Sequence, residues 1–347
     1  MNWLVGTYSK RNSKGIYLIN LDEDSGQMSQ IGSFGNLTPK NPSFLVIGDN
    51  NRVFSVGESS KLEPGIVCSY KIDGQSLVKI DEIETRGSGP CHLSINKKNN
   101  FLVVANYNSG DFSTYKISSD SKFEFIQKIS HEGSSINLNR QQEPHTHSVN
   151  FLDNETFYIC DLGVDKIFKY QIDPISLKII DSSFTKTLKG SGPRHFVINS
   201  DKKRAYSINE LDSTINFFEI NSNKNLNLLQ SVSTIPENYI LDTTTADIHF
   251  SKNEKYIYGS NRGHDSIAKF FIEETGTLLF QKRFSTLGKT PRNFSISNSG
   301  DFCLIANENS DDIYSFKIDR NGDFIPTGYK LSIPSPVCLS EIFKRGS

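Results

Sequence analysis

Hydrophobic and polar positions along the chain repeat as one phrase of about 45 to 55 residues. Each copy opens with a small residue and a proline, runs through an apolar stretch, makes a polar turn and returns in a second apolar stretch that ends in Asn or Asp. Three clear copies are GPCHLSINKKNNFLVVANY (89–107), GPRHFVINSDKKRAYSINE (192–210) and TPRNFSISNSGDFCLIANE (290–308). A third and a fourth alternating run follow each copy. The pattern predicts a repeated four-stranded antiparallel meander.

The copies account for nearly the whole chain. Looser copies begin at three further positions, Asn41, Glu143 and Thr245. Six complete units then cover residues 41 to about 333, and a seventh begins at Ser335 but contributes one strand. The missing strands match NWLVGTYSKRNSKGIYLINL at the other end of the chain. We therefore predict an all-β fold, a single seven-bladed β-propeller domain over residues 1–347, whose ring closes when the N-terminal strands complete the C-terminal blade.

Other architectures explain the pattern less well. An open β-solenoid does not account for two complementary fragments at the two ends, and no helical period is sustained enough for an α/β fold. Phe (24) and Tyr (13) are abundant while Met (2) and Trp (1) are scarce, which is typical of pleated, half-buried surfaces. Closure of the ring also leaves no free sheet edge between blades. Composition and pattern both favour the propeller.

Charge and cysteine content limit the partners and the compartment. The formal net charge is -1 with both signs interspersed, so neither nucleic acid nor a membrane surface is an expected partner. No segment approaches the roughly 20 apolar residues of a membrane span, and the N-terminus lacks a signal-peptide pattern. The five cysteines are widely scattered, without a C-x-x-C pair. We expect them to be reduced core residues of a cytoplasmic protein; the sequence does not indicate an oligomeric state.

Comparison of the units with one another separates scaffold positions from candidate site positions. The start of the first strand and the end of the second lie at the same edge of a meander, so these positions meet at one mouth of the central channel. The residue that ends the second strand recurs as Asn106, Asn209, Asn261 and Asn307, with Asp161 in the equivalent place. Such recurrence indicates a turn-forming hydrogen bonder. The residue that follows differs in each unit: Tyr107, Leu162, Glu210, Arg262 and Glu308.

The first strand also contains positions that vary between units. After the recurring proline come Cys91 and His92, Arg194 and His195, or Arg292 and Asn293. In EPHTHSV an extra residue places His145 and His147 two apart, on one face of a strand. We predict one polar rim composed of His147, Arg194, Glu210, Arg262, Arg292 and Glu308. Its arginines outnumber the carboxylates, which suits an anionic ligand.

Structural readings of the same residues remain open. His92, His195 and His249, each taken alone, are better explained as hydrogen bonders at the blade entries. Arg194, Glu210 and Arg262 also fit a purely structural ion-pair network. His145 and His147 resemble a metal-ligand pair, but a third ligand and the H-E-x-x-H pattern are missing. We expect no metal and no cofactor. G-x-S-x-G, P-loop and G-x-G-x-x-G motifs are absent, so serine-esterase and nucleotide chemistry lack support.

The motifs at these positions resemble those of the propeller lactonases, a family typified by bacterial 6-phosphogluconolactonase of the propeller type and by carboxy-cis,cis-muconate cyclase. They are VGTYS, EPHTHSV, GPRHFVI with NELDST, SNRGHDSI, and TPRNF with ANENSD, and they extend over almost the whole chain. WD40 and kelch signatures are absent. The resemblance implies a cytosolic, cofactor-free enzyme that opens or forms a lactone. The implied catalytic residues are His147, Arg194, Glu210 and Arg262.

The resemblance and the surplus of arginine favour hydrolysis of 6-phosphogluconolactone, a small anionic lactone, to 6-phosphogluconate. An arginine would stabilise the oxyanion that develops as the ester opens. Flanking arginines should lower the pKa of Glu210, so His147 is the favoured group for proton transfer. The remaining residues that we expect to bind substrate are His145, His195, Asn261, Arg292 and Glu308.

Two alternative functions remain. One is an enzyme that uses the same rim for another substrate, and the other has no catalytic site. The first is a muconate cyclase or another hydrolase of acidic lactones. The second is a non-catalytic propeller that serves as a scaffold for a protein partner. The charges lie at variable positions of one mouth rather than across a broad apolar patch, which favours an enzyme.

Overall fold

The computed structural model describes residues 1–342, which form seven four-stranded antiparallel sheets. In chain order the strands are β1 (Asn2–Thr7), β2 (Tyr17–Leu21), β3 (Met28–Ser33), β4 (Leu45–Ile47), β5 (Arg52–Gly57), β6 (Ile66–Asp73), β7 (Ser76–Glu84), β8 (Pro90–Ile95), β9 (Phe101–Asn106), β10 (Asp111–Ile117), β11 (Phe123–Ser130), β12 (Thr146–Phe151), β13 (Thr156–Asp161), β14 (Lys166–Ile172), β15 (Ile179–Lys186), β16 (Pro193–Ile198), β17 (Arg204–Asn209), β18 (Thr214–Ile220), β19 (Leu226–Ser233), β20 (Thr244–Phe250), β21 (Tyr256–Arg262), β22 (Ser266–Ile272), β23 (Leu278–Ser285), β24 (Pro291–Ile296), β25 (Phe302–Asn307), β26 (Asp312–Ile318), β27 (Phe324–Ser332) and β28 (Pro336–Ile342). A 3₁₀ turn spans Asp49–Asn51.

Six sheets, or blades, each take four consecutive strands: β4–β7, β8–β11, β12–β15, β16–β19, β20–β23 and β24–β27. The seventh has the order β28-β1-β2-β3 and so combines the two ends of the chain. Within it, Leu4 pairs with Ser340 and Asn2 with Ile342 in antiparallel register. The predicted seven-bladed, ring-closed propeller is confirmed. The predicted domain range of 1–347 includes residues 343–347, which lie outside the described residues.

The hydrophobic core lies between neighbouring blades. Trp3 and Leu339 of the closing blade pack with Phe302 of the preceding blade. On the other side of the same blade, Leu4 packs in one cluster with Tyr70 of the blade that follows. Burial of each such side chain contributes about 1.5–3 kcal/mol. The closing blade is therefore fixed by packing against both neighbours as well as by its own hydrogen bonds.

All five cysteines are buried and free, which confirms their prediction as unpaired core residues: Cys68, Cys91, Cys160, Cys303 and Cys338. Among residues 1–342, no helix is long and apolar enough to cross a membrane.

A one-residue bulge in the first strand of a blade places the side chains that line the channel. Pro193 pairs with Asn209, but His195 pairs with Ile208, so Arg194 is left without a partner in the ladder. Equivalent register shifts occur at Cys91, His147, Ala246 with Asp247, Arg292 and Val337. A bulge redirects the side chain of the unpaired residue. This backbone irregularity, repeated around the ring, brings the candidate site residues together.

Ring closure can be tested with Leu339, which is 6% exposed, and with Trp3, the single tryptophan, which is fully buried in the same blade. We expect Leu339→Ala to lower the free energy of unfolding by about 2–5 kcal/mol because it leaves a cavity in the closing blade. Urea unfolding followed by Trp3 fluorescence measures the effect. The control is Leu279→Ala on β23, where the side chain is 45% exposed and the expected change is within about 0.5 kcal/mol. Equal losses in the two variants would contradict this account of closure.

Candidate active site

The candidate active site is the mouth of the channel at which the first strands begin and the second strands end. Seven residues lie around this mouth where the second strands end. Arg262 is the last residue of β21, and the other six directly follow their strands: Tyr8, Glu58, Tyr107, Leu162, Glu210 and Glu308. The unit comparison found five of them. It missed Tyr8 and Glu58 because their strands end in Thr7 and Gly57 instead of Asn or Asp. The matching phrases VGTYS and VANYN carried the signal for Tyr8.

The recurring asparagines are scaffold residues, as predicted. Asn106 donates from Nδ2 to Asp111 Oδ1 over 2.7 Å, and Asn307 donates to the equivalent Asp312 over 3.0 Å. Asn261 donates to Ser266 Oγ over 3.1 Å and is fully buried. These bonds hold the turn between the second and third strands. The expectation that Asn261 binds substrate is therefore wrong, since its amide is used within the blade.

Glu210 is the centre of the rim, and three guanidinium groups surround it. Arg194 Nε donates to Oε2 over 2.9 Å, Arg262 Nη2 lies 2.9 Å from the same oxygen, and Arg140 Nη2 donates to Oε1 over 2.6 Å. Arg140 also donates to the hydroxyl of Tyr107. Arg140 lies in the connection of residues 131–145, outside the repeat, so the unit comparison could not find it. The structure thus joins three predicted residues and adds a fourth.

The charges of this cluster are strongly coupled. Burial alone would raise the pKa of Glu210, but Arg262, Arg194 and Arg140 outweigh it and hold that pKa well below its usual range. The predicted depression is confirmed, and Glu210 is an ionised, very weak base. Burial, followed by repulsion from Arg262 and Arg292, lowers the pKa of Arg194 to about 10, so it stays charged at neutral pH. The Nε of Arg262 is buried without a hydrogen-bond partner in the described chain.

A second charged cluster extends the rim around Arg292. Its Nη2 donates to the Tyr8 hydroxyl over 2.6 Å, and its Nη1 lies 4.0 Å from Glu308 Oε2. The Tyr8 hydroxyl in turn donates to Glu58 over 3.4 Å. Lys10 Nζ lies 3.7 Å from the other oxygen of Glu308. Arg292 and Glu308 therefore lie where the sequence predicts them, together with three partners it did not select.

The rim carries more cations than anions. Four guanidinium groups face three carboxylates, and Lys10 adds a further positive charge. The arginines are Arg140, Arg194, Arg262 and Arg292, and the carboxylates are Glu58, Glu210 and Glu308. Partly buried cations without a full set of counter-charges favour binding of an anion.

His147 and His145 lie at different depths. His147 occupies the bulge of β12, is 4% exposed, and contacts the ring of His195 at a centroid distance of 5.4 Å. His145 precedes the strand, stacks on Tyr107 at 4.4 Å and lies within 2.8 Å of its carbonyl oxygen. The prediction that the two histidines share one face of a regular strand is wrong, because His145 precedes β12 and His147 lies in its bulge. Both rings nevertheless contact Tyr107. His147 therefore lies at the floor of the mouth, and His145 lies at its edge.

The floor histidines are neutral. Burial, followed by the charge of Arg194, lowers the pKa of His147 well below its usual value and that of His195 to about 4. His195 Nδ1 lies 2.7 Å from Asp247 Oδ1, a carboxylate that the unit comparison did not select. No three His, Cys, Asp or Glu side chains within residues 1–342 form a group that could hold a metal ion.

Comparisons with known proteins identify the family. The sequence model of the family described as "Lactonase, 7-bladed beta-propeller" matches residues 2–341. A 6-phosphogluconolactonase of Bacillus subtilis is 31% identical over 343 residues, 96% of each chain. One of Formosa agariphila is 32% identical and covers 97% of this chain and 96% of its own. The solved periplasmic gluconolactonase of Pseudomonas aeruginosa is 29% identical, with a TM-score of 0.91 over 97% of this chain and 98% of its own. The chain belongs to the seven-bladed β-propeller lactonase family.

The central role of Glu210 predicts a large effect of Glu210→Gln. Loss of its charge leaves three arginines facing one another, and breaking such a buried pair costs about 3–5 kcal/mol. Thermal unfolding should show this loss, and inorganic phosphate should raise the melting temperature more in the variant than in wild type, compared with chloride at equal ionic strength. Glu143→Gln, which removes an exposed partner of Lys61, is the control and should change stability little. An unchanged stability of Glu210→Gln would contradict the assignment.

The neutral imidazoles make stability depend on pH. Burial lowers the pKa of His92, as it does for His147 and His195. Below about pH 6.5 the unfolded chain binds protons that the folded chain does not, so stability is full above that pH and falls as the pH decreases. Each of these histidines changes the free energy of unfolding by up to about 1.4 kcal/mol per pH unit. His92→Gln should make the dependence shallower by about one proton in urea unfolding between pH 7.5 and 4.5; an identical slope would refute this.

Proposed function

We propose that the chain hydrolyses 6-phospho-D-glucono-1,5-lactone to 6-phosphogluconate. The observation that carries the proposal is the cluster of Arg140, Arg194 and Arg262 around one ionised Glu210, next to the second cationic cluster at Arg292. A lactone with a phosphate group offers two places for negative charge, the developing oxyanion and the phosphate. The names of the Bacillus and Formosa relatives support this substrate. A cytoplasmic location and a role in the pentose phosphate pathway are parts of the same proposal.

Arg194 and Arg262 are the proposed oxyanion donors. Arg194 uses Nε on Glu210 and Nη1 on the Ala246 carbonyl, at 2.9 and 2.5 Å, which leaves Nη2 for a ligand. Arg262 uses Nη2 on Glu210 and on the Thr245 carbonyl, which leaves Nη1 for a ligand. Donors that are already held in place stabilise the oxyanion more than the ground state and need no reorganisation during the reaction. Glu210 holds these guanidinium groups in position, and because both of its oxygens are bound by arginine, neither is free to accept a proton.

Proton transfer then requires a group other than Glu210. The neutral imidazoles of the floor, where His147 lies against His195, provide acceptors at neutral pH. The phosphate would bind to Arg292 and Lys10, which lie on either side of Glu308. His145 and Tyr107 form the facing edge of the mouth.

Arg194→Met should lower kcat/KM for 6-phosphogluconolactone by about 10²–10³, the usual cost of losing an oxyanion donor. The assay couples the product to phosphogluconate oxidation and subtracts spontaneous hydrolysis. Arg204→Met provides a matched control, because Arg204 lies at the opposite end of β17 from Glu210, and it should hydrolyse the lactone like wild type. The proposal fails if the Arg194 variant is as active as wild type.

The same assay separates the alternative functions. If wild type hydrolyses gluconolactone and its 6-phosphate equally well, and Arg292→Met affects neither, the phosphate is not the recognised group, in keeping with the name of the Pseudomonas neighbour. Loss of the ultraviolet absorbance of a conjugated diene would identify muconate cyclisation. No turnover of any lactone, together with a stable protein partner, would identify a scaffold.

A further inference from the structure

A second ring of side chains lines the channel just below the rim. Its members are Phe44, His92, Ser148, His195, Asp247, Asn293 and Cys338. Five of them directly follow a bulge residue, Asp247 lies in the bulge of β20, and Phe44 precedes β4. Asp247 is the carboxylate of this ring, is 3% exposed, and lies between His195 of one neighbouring blade and Asn293 of the other. A buried carboxylate costs several kcal/mol unless its oxygens are bound.

Donors from three blades bind both oxygens of Asp247. Oδ1 lies 2.7 Å from His195 Nδ1 and accepts from the backbone N–H of Ile248 at 3.0 Å. Oδ2 lies 3.0 Å from His249 Nε2 and accepts from the Asn293 amide. Burial alone would raise the pKa of Asp247, but His249 and His195 outweigh it and hold that pKa well below its usual range. Asp247 is therefore ionised and acts only as an acceptor.

This arrangement determines the tautomer of His195. An ionised carboxylate has no proton to donate, so the hydrogen atom of the contact must be on Nδ1 of His195. The neutral ring then carries its lone pair on Nε2, which has no hydrogen-bond partner among residues 1–342. The ring lies edge-on to His147 at 5.4 Å and to His92 at 5.3 Å, and Arg194 precedes it on the same strand. Nε2 is thus a free acceptor atom in the layer below the rim, on the ring that contacts His147.

His147 lacks such support. Its Nδ1 lies 3.9 Å from the Cys91 thiol, and burial raises the pKa of that thiol, so the thiol stays neutral and interacts weakly with the ring. A general base is recognised by a third group that orients it. Of the two floor histidines, His195 has that group and His147 does not.

We propose that Asp247 is a positioning residue that fixes His195 as the proton acceptor at the floor of the lactone site. The inference rests on the proposed function. As the water oxygen bonds to the lactone carbonyl carbon, its proton passes to Nε2 of His195 and the oxyanion forms against the arginines. The carbonyl re-forms as the ring C–O bond breaks, and Nε2 returns the proton to the ring oxygen. A hydroxyl group and a carboxylic acid result, and the acid releases its proton to solvent. Asp247 stays ionised and stabilises the transient imidazolium.

The tautomer can be measured without substrate. In ¹⁵N NMR of the neutral imidazoles, wild type should show His195 protonated on Nδ1, and Asp247→Asn should show a shift toward the Nε2-protonated form, because an amide can also donate. Protonation of His195 on Nε2 in wild type would overturn the positioning role of Asp247.

Kinetics test the role in catalysis. With 6-phosphogluconolactone, Asp247→Asn and His195→Gln should each lower kcat by about 10²–10³ with KM within about threefold, and the double variant should be no slower than His195→Gln alone. His131→Gln is the matched control, since His131 is a buried histidine that also contacts a carboxylate, Asp161 at 2.6 Å, but lies between blades. It should lose stability and keep its kcat. Trp3 fluorescence verifies that each variant is folded.

The outcomes separate the two proposals. If wild type hydrolyses the lactone and both Asp247→Asn and His195→Gln keep kcat within about threefold, the inference is wrong while the proposed function stands. If wild type does not hydrolyse this lactone, the proposed function fails and the proton transfer assigned to His195 fails with it. In that case the NMR result still decides whether Asp247 fixes the tautomer.

Discussion

The hydrogen-bonded pairing of β1 with β28 is the constraint on which the other features depend. Each meander forms from residues near one another in sequence, but the seven meanders surround one channel only when the two chain ends share a blade. The entropy of closing so long a loop grows only with the logarithm of its length, so packing on both faces of the closing blade can offset it. Once the ring is closed, the bulges of the first strands point to a common centre. The site is therefore a consequence of closure.

The arginine-rich mouth illustrates what a buried ion cluster contributes. Buried ion pairs are weak evidence for stability, because desolvation offsets much of the attraction. Their value here is geometric, since Glu210 fixes the positions of Arg140, Arg194 and Arg262. An anion that enters the mouth meets hydrogen-bond donors that are already oriented, and their positive charge is only partly balanced by carboxylates. Pre-organisation of this kind lowers a reaction barrier without requiring the protein to move.

Most of the fold could be predicted from the sequence because a propeller repeats its own pattern. The same property separated Asn106 and its equivalents, which recur, from Glu210 and Arg262, which do not. Asn261 both recurs between units and lies next to the rim. Its recurrence correctly indicated a scaffold role, whereas its position beside the rim wrongly suggested substrate binding.

The residues that escaped prediction did so for identifiable reasons. Tyr8 and Glu58 follow strands that do not end in Asn or Asp, and Arg140 lies in an aperiodic connection. Asp247 occurs in the loose copy TADIHF, in which Ala246 occupies the place of the arginine that follows proline in other units. The bulges have no signature in a hydrophobic pattern, since they shift hydrogen-bond register without changing the order of apolar and polar residues.

Arg140 differs from the other three arginines of the rim in how it reaches the site. Those three lie on strands, and the geometry of the ring fixes their positions. Arg140 is supplied by the connection of residues 131–145, which links two blades and reaches over the mouth to Glu210 and Tyr107. Connections tolerate changes of length and sequence better than blades do. Exchange of this one segment would alter the charge and width of the entrance while the floor stays unchanged, so substrate range can diverge within the family independently of the reaction itself.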